Sequence, residues 1–272
     1  MTEIYVNSWE EFEQKWPEFQ PSGSGKYFPL LFRGQSDSSW RLDTSLERYG
    51  VRDYSYMDYY SLVYRIRPQI ETFTNKKWEV PDFEKVKEWT TKLKGASGEF
   101  PWSDYMMYLR HYGFPSPLLD WTESSKVAAY FAFRSPIEPV SKNASIYVFS
   151  ERPHGFKSTG SDRPQIFNLS SIAARHHRHF LQQSSYTVCM DLSTNESKPE
   201  REWRFAQHQD VVNREPEPQF QQDVLRKFNI PWSERQKVLK LLDEYNLNAF
   251  SLFGSEESLM ETLAFREIDL QP

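Results

Sequence analysis

Residues 111–133, HYGFPSPLLDWTESSKVAAYFAF, constrain the fold more than any other stretch. Gly113, just after His111 and Tyr112, is a natural helix C-cap. Pro115 and Pro117 then stiffen the turn and fix the direction in which the chain enters Leu118–Thr122, an apolar strand. A helix beginning near Glu123 follows, with Val127, Ala128, Phe131 and Ala132 on its inner face. Its alanines allow a close approach, and Tyr130 and Phe133 supply walls for a flat ring. A histidine, an aspartate and a threonine in such a setting each need a partner, because an unpaired buried polar group is costly. Either Asp120 or Thr122 suits the N-cap of the helix. One cap does not account for both, so the pair also reads as a pocket edge. His111 near a helix C-terminus is accounted for by the helix dipole alone.

Elsewhere the chain alternates helical and extended signals. Ser8 and Glu11 form a capping box before Trp9, Phe12, Trp16 and Phe19, which predicts a helix from about Trp9 to Phe19. PSGSGK at 21–26 is a loop lacking the features of a P-loop. YFPLLFRGQ predicts a short strand ending at Arg33 and Gly34. Tyr56, Tyr60 and Tyr64 mark the aromatic face of a helix that Pro68 ends or kinks. A second amphipathic helix starts at Pro81 and carries Phe83, Val86, Trp89 or Thr90, and Leu93, and a third spans 102–111. GASGEFP (95–101) is a loop between them. Strands are expected at 144–150, 184–190 and 247–253, with loops at 151–165 and 191–202 and a capping box of Ser233 and Gln236 before a late helix. REWRF, around Glu202, is the exception within that loop and fits a strand. Helices come early and strands late, with no separating linker. The expectation is one α+β domain over residues 1–272, an N-terminal helical part packed on a mixed, mainly antiparallel sheet.

Composition narrows the function. With 38% hydrophobic and 26% charged residues the chain has the makings of a folded core. Aromatics at 16% must mostly build that core, leaving some for a groove that takes flat rings. A net charge of -5 argues against a globally basic nucleic-acid binder but leaves room for a local basic groove. The single cysteine, Cys189, excludes a disulfide framework and a cysteine-rich zinc site, and its place in an apolar strand makes it inert. With no signal peptide and no membrane span, a cytoplasmic location is expected. No nucleophile elbow, dinucleotide fingerprint or kinase signature occurs.

Chemistry-bearing residues are few. Arg33 ends a strand and is followed by Gly34, which permits a close backbone approach, and by Gln35. Its guanidinium suits a phosphate or carboxylate, or a structural acid. IAARHHRHFLQQSSY, 172–186, carries Arg175, His176, His177, Arg178 and His179. A basic face is the better reading of it than a metal site, since only His176 and His179 lie one turn apart.

LFRGQSDSSWRLDTSLER (31–48) and RHYGFPSPLLDWTESSKVAAYFAF (110–133) resemble the two hallmark motifs of the FRG domain family, named for the triplet that is here Phe32, Arg33 and Gly34. The second motif usually begins with Gln, where this chain has Arg110, and has a Thr-Arg pair where this chain has Ser116 and Pro117. Near residues 175–184 the family shows Arg followed by Gln-Gly-Phe; Gln182 or Gln183 is the matching glutamine here, without the glycine. The resemblance implies a layout similar to ADP-ribosyltransferases, with NAD as substrate and no metal. Arg33, His111, Asp120 and Thr122 would do the catalytic work. Arg33, Gly34, Gln35, Tyr112, Trp121, Tyr130 and Gln183 would hold the dinucleotide. Such chemistry needs a carboxylate beside the ribose, for which Glu71, Glu123, Glu202 and Asp120 are the candidates. The implied protein is a toxin or anti-phage effector that modifies nucleic acid or protein, with a neutralising antitoxin as a further partner and no membrane. A non-catalytic nucleotide or nucleic-acid binding module is the alternative. A metal-dependent nuclease built on Asp120 and the histidines ranks last.

Overall fold

Strand β1 (Thr2–Tyr5) leads into helix α1 (Trp9–Lys15), where the Ser8 hydroxyl accepts from the Glu11 N–H at 3.2 Å. Glu11 turns its carboxylate to Asn7, so only half of the expected capping box forms. A 3₁₀ turn, Trp16–Phe19, carries the helix to its predicted end. The structure, a computed structural model, describes residues 1–21, 25, 28–92, 100–155, 157, 164–169, 177–195, 198–211 and 222–270. Most of the loops expected at 21–26 and 95–101, and Leu93, lie outside these residues.

After β2 (Leu31–Gln35) and the short α2 (Ser45–Arg48), helix α3 (Tyr56–Thr74) opens on a full capping box of Ser55 and Asp58. Tyr56, Tyr59, Tyr60 and Val63 form its buried stripe, whereas Tyr64 is 40% exposed. Pro68 lies inside the helix without ending it; the stop comes at Asn75, in the left-handed region at φ 53°. Helices α4 (Phe83–Lys92) and α5 (Ser103–His111) complete the early helical part. Next come β3 (Leu118–Thr122), α6 (Ser125–Phe133), β4 (Asn143–Ser150), β5 (Gln165–Asn168), α7 (His177–Leu181), β6 (Ser184–Asn195), β7 (Lys198–Phe205) and β8 (Val224–Pro231). Three helices close the described chain: α8 (Arg235–Glu244), α9 (Ala249–Phe253) and α10 (Glu256–Ala264).

The strands form one eight-stranded sheet in the order β1-β8-β4-β2-β3-β6-β5, with β7 also paired to β6. All pairs are antiparallel except β1 with β8. The α+β class with a mixed, mainly antiparallel sheet is therefore what the structure contains. Strand alternation sorts the core. Phe32, Ile146, Val148 and Phe228 face α1, α6 and α8, while Leu118, Tyr186, Val188 and Met190 face α3 and α5. Leu31, Tyr147, Phe149, Leu119, Trp121 and Cys189 fill the opposite side.

Three expectations fail locally. Residues 191–202 are not a loop: β6 and β7 cover most of them as a hairpin, with REWRF extended as expected. Residues 247–253 are not a strand, because Asn248 and Ser251 cap each other and start α9, which Gly254 stops at φ 62°. Ser233 lies in a 3₁₀ turn, and α8 begins at Arg235, with Glu234 as an N-cap that makes no side-chain cap bond.

The sequence reading also missed a buried ion cluster beneath the 151–165 connection. Lys157 Nζ sits 2.6 Å from Asp223 and 3.3 Å from Glu151, and the Lys157 and Asp223 side chains are almost fully enclosed. Burial raises Asp223 to about 6, against the pull of Lys157. Two carboxylates share one ammonium here, and removing it strands the buried Asp223, while Glu151 keeps Arg152 at 3.8 Å. Lys157→Met is expected to cost about 3 kcal/mol in urea denaturation, with much of it recovered when Asp223 is also made Leu.

Candidate functional site

The ladder between β2 and β3 consists of a single pair, Phe32 with Thr122. Beyond it the two strands part, while β2 stays in register with β4 and β3 with β6. The parting opens a cleft of about 990 Å³.

Arg33 reaches into this opening from β2. Alternation places it on the other face from Asp120, and the gap lets it through. Its Nη1 donates to the Asp120 carbonyl at 2.7 Å and lies 3.8 Å from the carboxylate. Arg110, in the last turn of α5, donates to the same carboxylate. Arg48 and Arg41 line the outer part of the cleft. Burial lowers the Arg33 guanidinium to about 10; Asp120 opposes the shift, and Arg110 and Arg48 add to it. It remains charged at neutral pH. The Nε atoms of Arg33 and Arg110 and Oε1 of Gln35 are buried without a hydrogen-bond partner.

Gly34 owes its identity to packing. A Cβ there would stand 2.0 Å from the Ala128 carbonyl oxygen and 2.6 Å from the Ala132 nitrogen, so helix α6 lies directly on the β2 backbone. The alanines of α6 make that approach from their side.

Neither Asp120 nor Thr122 caps α6. That role belongs to Ser124, which accepts from the Val127 N–H. Thr122 donates to the Gln182 carbonyl at 2.7 Å and accepts from the Ser124 N–H at 3.1 Å, tying the corner to the start of β6. Trp121 donates to Thr187 Oγ1 at 2.7 Å, and Thr187 in turn meets His208 Nε2 at 2.9 Å. Burial lowers His208 to about 3, and the nearby Arg33 adds to this, so His208 stays neutral and shares one hydrogen bond with Thr187. Trp121 is thereby fixed as a cleft wall.

A second polar group stands beside Asp120. Tyr186 is its register partner on β6, lines the cleft, and has its hydroxyl 2.8 Å from His179 Nε2. Burial raises the Tyr186 phenol above its ordinary value. His111 also lines the cleft, with its ring 5.5 Å from that of His179.

The structure thus brings Arg33, Gly34, Gln35, His111, Asp120, Trp121 and Thr122 together. It leaves three expected residues outside. Tyr130 donates to Glu261 at 2.8 Å and faces a separate pocket of about 280 Å³ between α6 and the C-terminal helices. Tyr112 is 61% exposed and lies on Tyr108 instead. Gln182, not Gln183, lines the cleft; Gln183 takes φ 47° in the turn before β6. Glu71 serves Arg67 and Lys77, Glu202 serves Arg204, and Glu123 also stands off the cleft, so among the described lining residues the acids are Asp43 and Asp120. Arg175 and His176 lie outside the described residues, as do the side chains of His177 and Arg178. Arg41, Arg48, Arg110, Tyr186 and His179 were the omissions. Only Arg110 carried a signal, as a guanidinium in the hallmark motif where Gln is usual.

Fold and site together define an α+β protein whose sheet opens onto an arginine-lined cleft. Residues 29–140 match the family model of the FRG domain, and β2, β3 and α6 lie within the matched stretch. No curated protein matches the chain, and no solved structure does. Among the described residues no helix is long and apolar enough to cross a membrane, and no group of three or more His, Cys, Asp or Glu could hold a metal ion.

Proposed function

We propose that the cleft binds a phosphate-bearing dinucleotide, NAD, and that the protein is an effector transferring ADP-ribose to an acceptor. The observation that carries this reading is the convergence of Arg33 and Arg110 on Asp120 within an aromatic-walled cleft. Two guanidiniums lining the cleft suit a pyrophosphate. Trp121 and Phe131 give planar surface, and the volume suits a ligand larger than a mononucleotide. In the transfer, the bond between nicotinamide and ribose C1′ breaks, and its electron pair leaves with the nicotinamide. An acceptor oxygen or nitrogen then bonds to C1′ and gives up its proton. Asp120 is the lining acid beside Arg33 and Arg110, and it would face the positive charge that develops on the ribose. Tyr186 with His179 is placed to take the acceptor proton.

Incubation with labelled NAD tests this directly. Nicotinamide release together with ADP-ribose mass on nucleic acid or protein is the expected result, and Asp120→Asn should slow release about a hundredfold. One observation favours the second reading, a nucleotide-binding module without turnover: the Asp120 carboxylate already serves two guanidiniums. Saturable NAD binding with no nicotinamide released would establish that reading and end the first.

A further inference from the structure

The mouth of the cleft gathers three more arginines than its walls require. Arg41 Nε and Arg52 Nη2 each lie 3.4 Å from the Asp43 carboxylate, and Arg48 donates to the Asp43 carbonyl at 2.7 Å. The Asp43 carboxylate thus meets two guanidiniums, and its backbone carbonyl a third. The cluster carries a surplus of two positive charges on a chain whose net charge is -5. Like charges held this close repel unless an anion joins them. The Arg41 and Arg52 side chains are about half exposed, so that anion can come from solution.

Two large rings stand beside this charge. Trp40 is 56% exposed and Tyr49 is 72% exposed. Each is the chain neighbour of one of the arginines, Trp40 of Arg41 and Tyr49 of Arg48. The Trp40 turn is well tied down. Ser39 donates from both N and Oγ to Asp37, Ser38 donates to the Asn143 carbonyl at 2.9 Å, and the Tyr147 hydroxyl donates to the Trp40 carbonyl. An ordered turn thus presents an indole to solvent at the lip of the cleft. Glu47, beside Arg48, turns inward to cap α2, and its charge offsets only part of the surplus, through Arg52.

We propose that this mouth is a docking surface for a single strand of nucleic acid. Phosphodiesters match the surplus charge, and unpaired bases match the two exposed rings. An acidic peptide would answer the charge and leave both rings in water, and a duplex would hide its base faces. The strand enters over Trp40 and Tyr49 and brings one nucleotide towards Arg33 and Asp120. The proposal names the acceptor class for the transfer above and rests on that reading for the transfer alone; the docking stands independently.

Fluorescence anisotropy with short labelled single-stranded RNA and DNA tests it, with a double-stranded oligonucleotide and a polyglutamate peptide as the other ligands. Saturable binding of the single strands is expected, weakening steeply with added salt and stronger than that of duplex or peptide. Neither Tyr49 nor Arg52 lines the cleft. The double variant Tyr49→Ala/Arg52→Glu should therefore bind the strand at least about tenfold more weakly. It should keep the wild-type melting temperature and the wild-type thermal shift with NAD. Absence of strand binding, undiminished binding by the double variant, or polyglutamate bound as tightly as the strand would each overturn the proposal. If NAD gives no shift while strand binding still depends on Tyr49 and Arg52, the docking surface stands and the transferase reading falls.

Discussion

Gly34→Ala should deprive the protein of its native fold at ordinary temperature. The added methyl would stand 2.0 Å from a backbone oxygen and 2.6 Å from a backbone nitrogen, and neither can swing aside as a flexible side chain can. Helix α6 would have to lift off β2, and with it Val127, Ala128, Phe131, Ala132 and Phe133, which join the core under α1 and α8. Overpacking of a good core costs about 1–3 kcal/mol, and a clash against helix backbone belongs at or beyond the top of that range. Against a total stability of about 5–15 kcal/mol this is a large fraction. Differential scanning calorimetry and soluble yield read the effect. Gly50→Ala is the control: it also replaces a glycine, but nothing lies within 4 Å of the added Cβ, and its cost is confined to the backbone at φ 82°. A Gly34→Ala protein that melts like wild type would show that β2 and α6 are not in contact as described.

Arg33→Met should abolish ligand binding while leaving the protein folded. Methionine keeps much of the apolar stem volume and removes the charge. The Asp120 carboxylate retains Arg110, so no acid is stranded; what is lost inside the fold is the 2.7 Å bond to the Asp120 carbonyl. A charge-assisted hydrogen bond contributes about 1.5–3 kcal/mol, and a bidentate pair to phosphate more, so the loss in NAD affinity should exceed about a hundredfold by titration calorimetry. Arg33→Lys should recover part of it, since the charge returns without the planar fork. A fall in melting temperature as large as the fall in affinity would recast Arg33 as a structural strut.

How far the sequence could be read follows from how local each interaction is. Arg33, Asp120 and Trp121 were legible because short-range punctuation, a glycine on one side and two prolines on the other, isolates them. Their meeting was not legible: it depends on β2 and β3 sharing a single ladder pair before diverging. The role of Gly34 was half legible. A close approach was evident, but the partner is α6 in place of a ligand. Leu247–Phe253 looked extended because its large apolar residues lack a clear helical period over so short a run, and the mutual caps of Asn248 and Ser251 outweighed that impression. Residues 191–202 looked like a loop because their polar run lacks the alternation of a half-buried strand, yet β6 and β7 pair through most of it. Lys157 and Asp223 are 66 residues apart, and nothing near either one announces that they meet. Tyr186 and His179 lie in a segment whose histidines invite a metal reading, and only the register of β6 against β3 puts the phenol beside Asp120.

The parallel pairing of β1 with β8 sets an order of events during synthesis. Thr2–Tyr5 find their partners at Arg226–Asn229, and Trp9 receives a hydrogen bond partner in Glu234. Thr2–Tyr5 leave the ribosome more than two hundred residues ahead of these partners and must wait for them. Strand β2, at the heart of the matched segment, likewise waits for β4, which begins at Asn143, beyond that segment. Contacts this distant along the chain make for slow assembly. Until β8 emerges, Trp9 and Phe12 lack Phe228 and Ile230 among their core neighbours, so a nascent chain halted before that strand should be open to chaperones and proteases at β1 and α1.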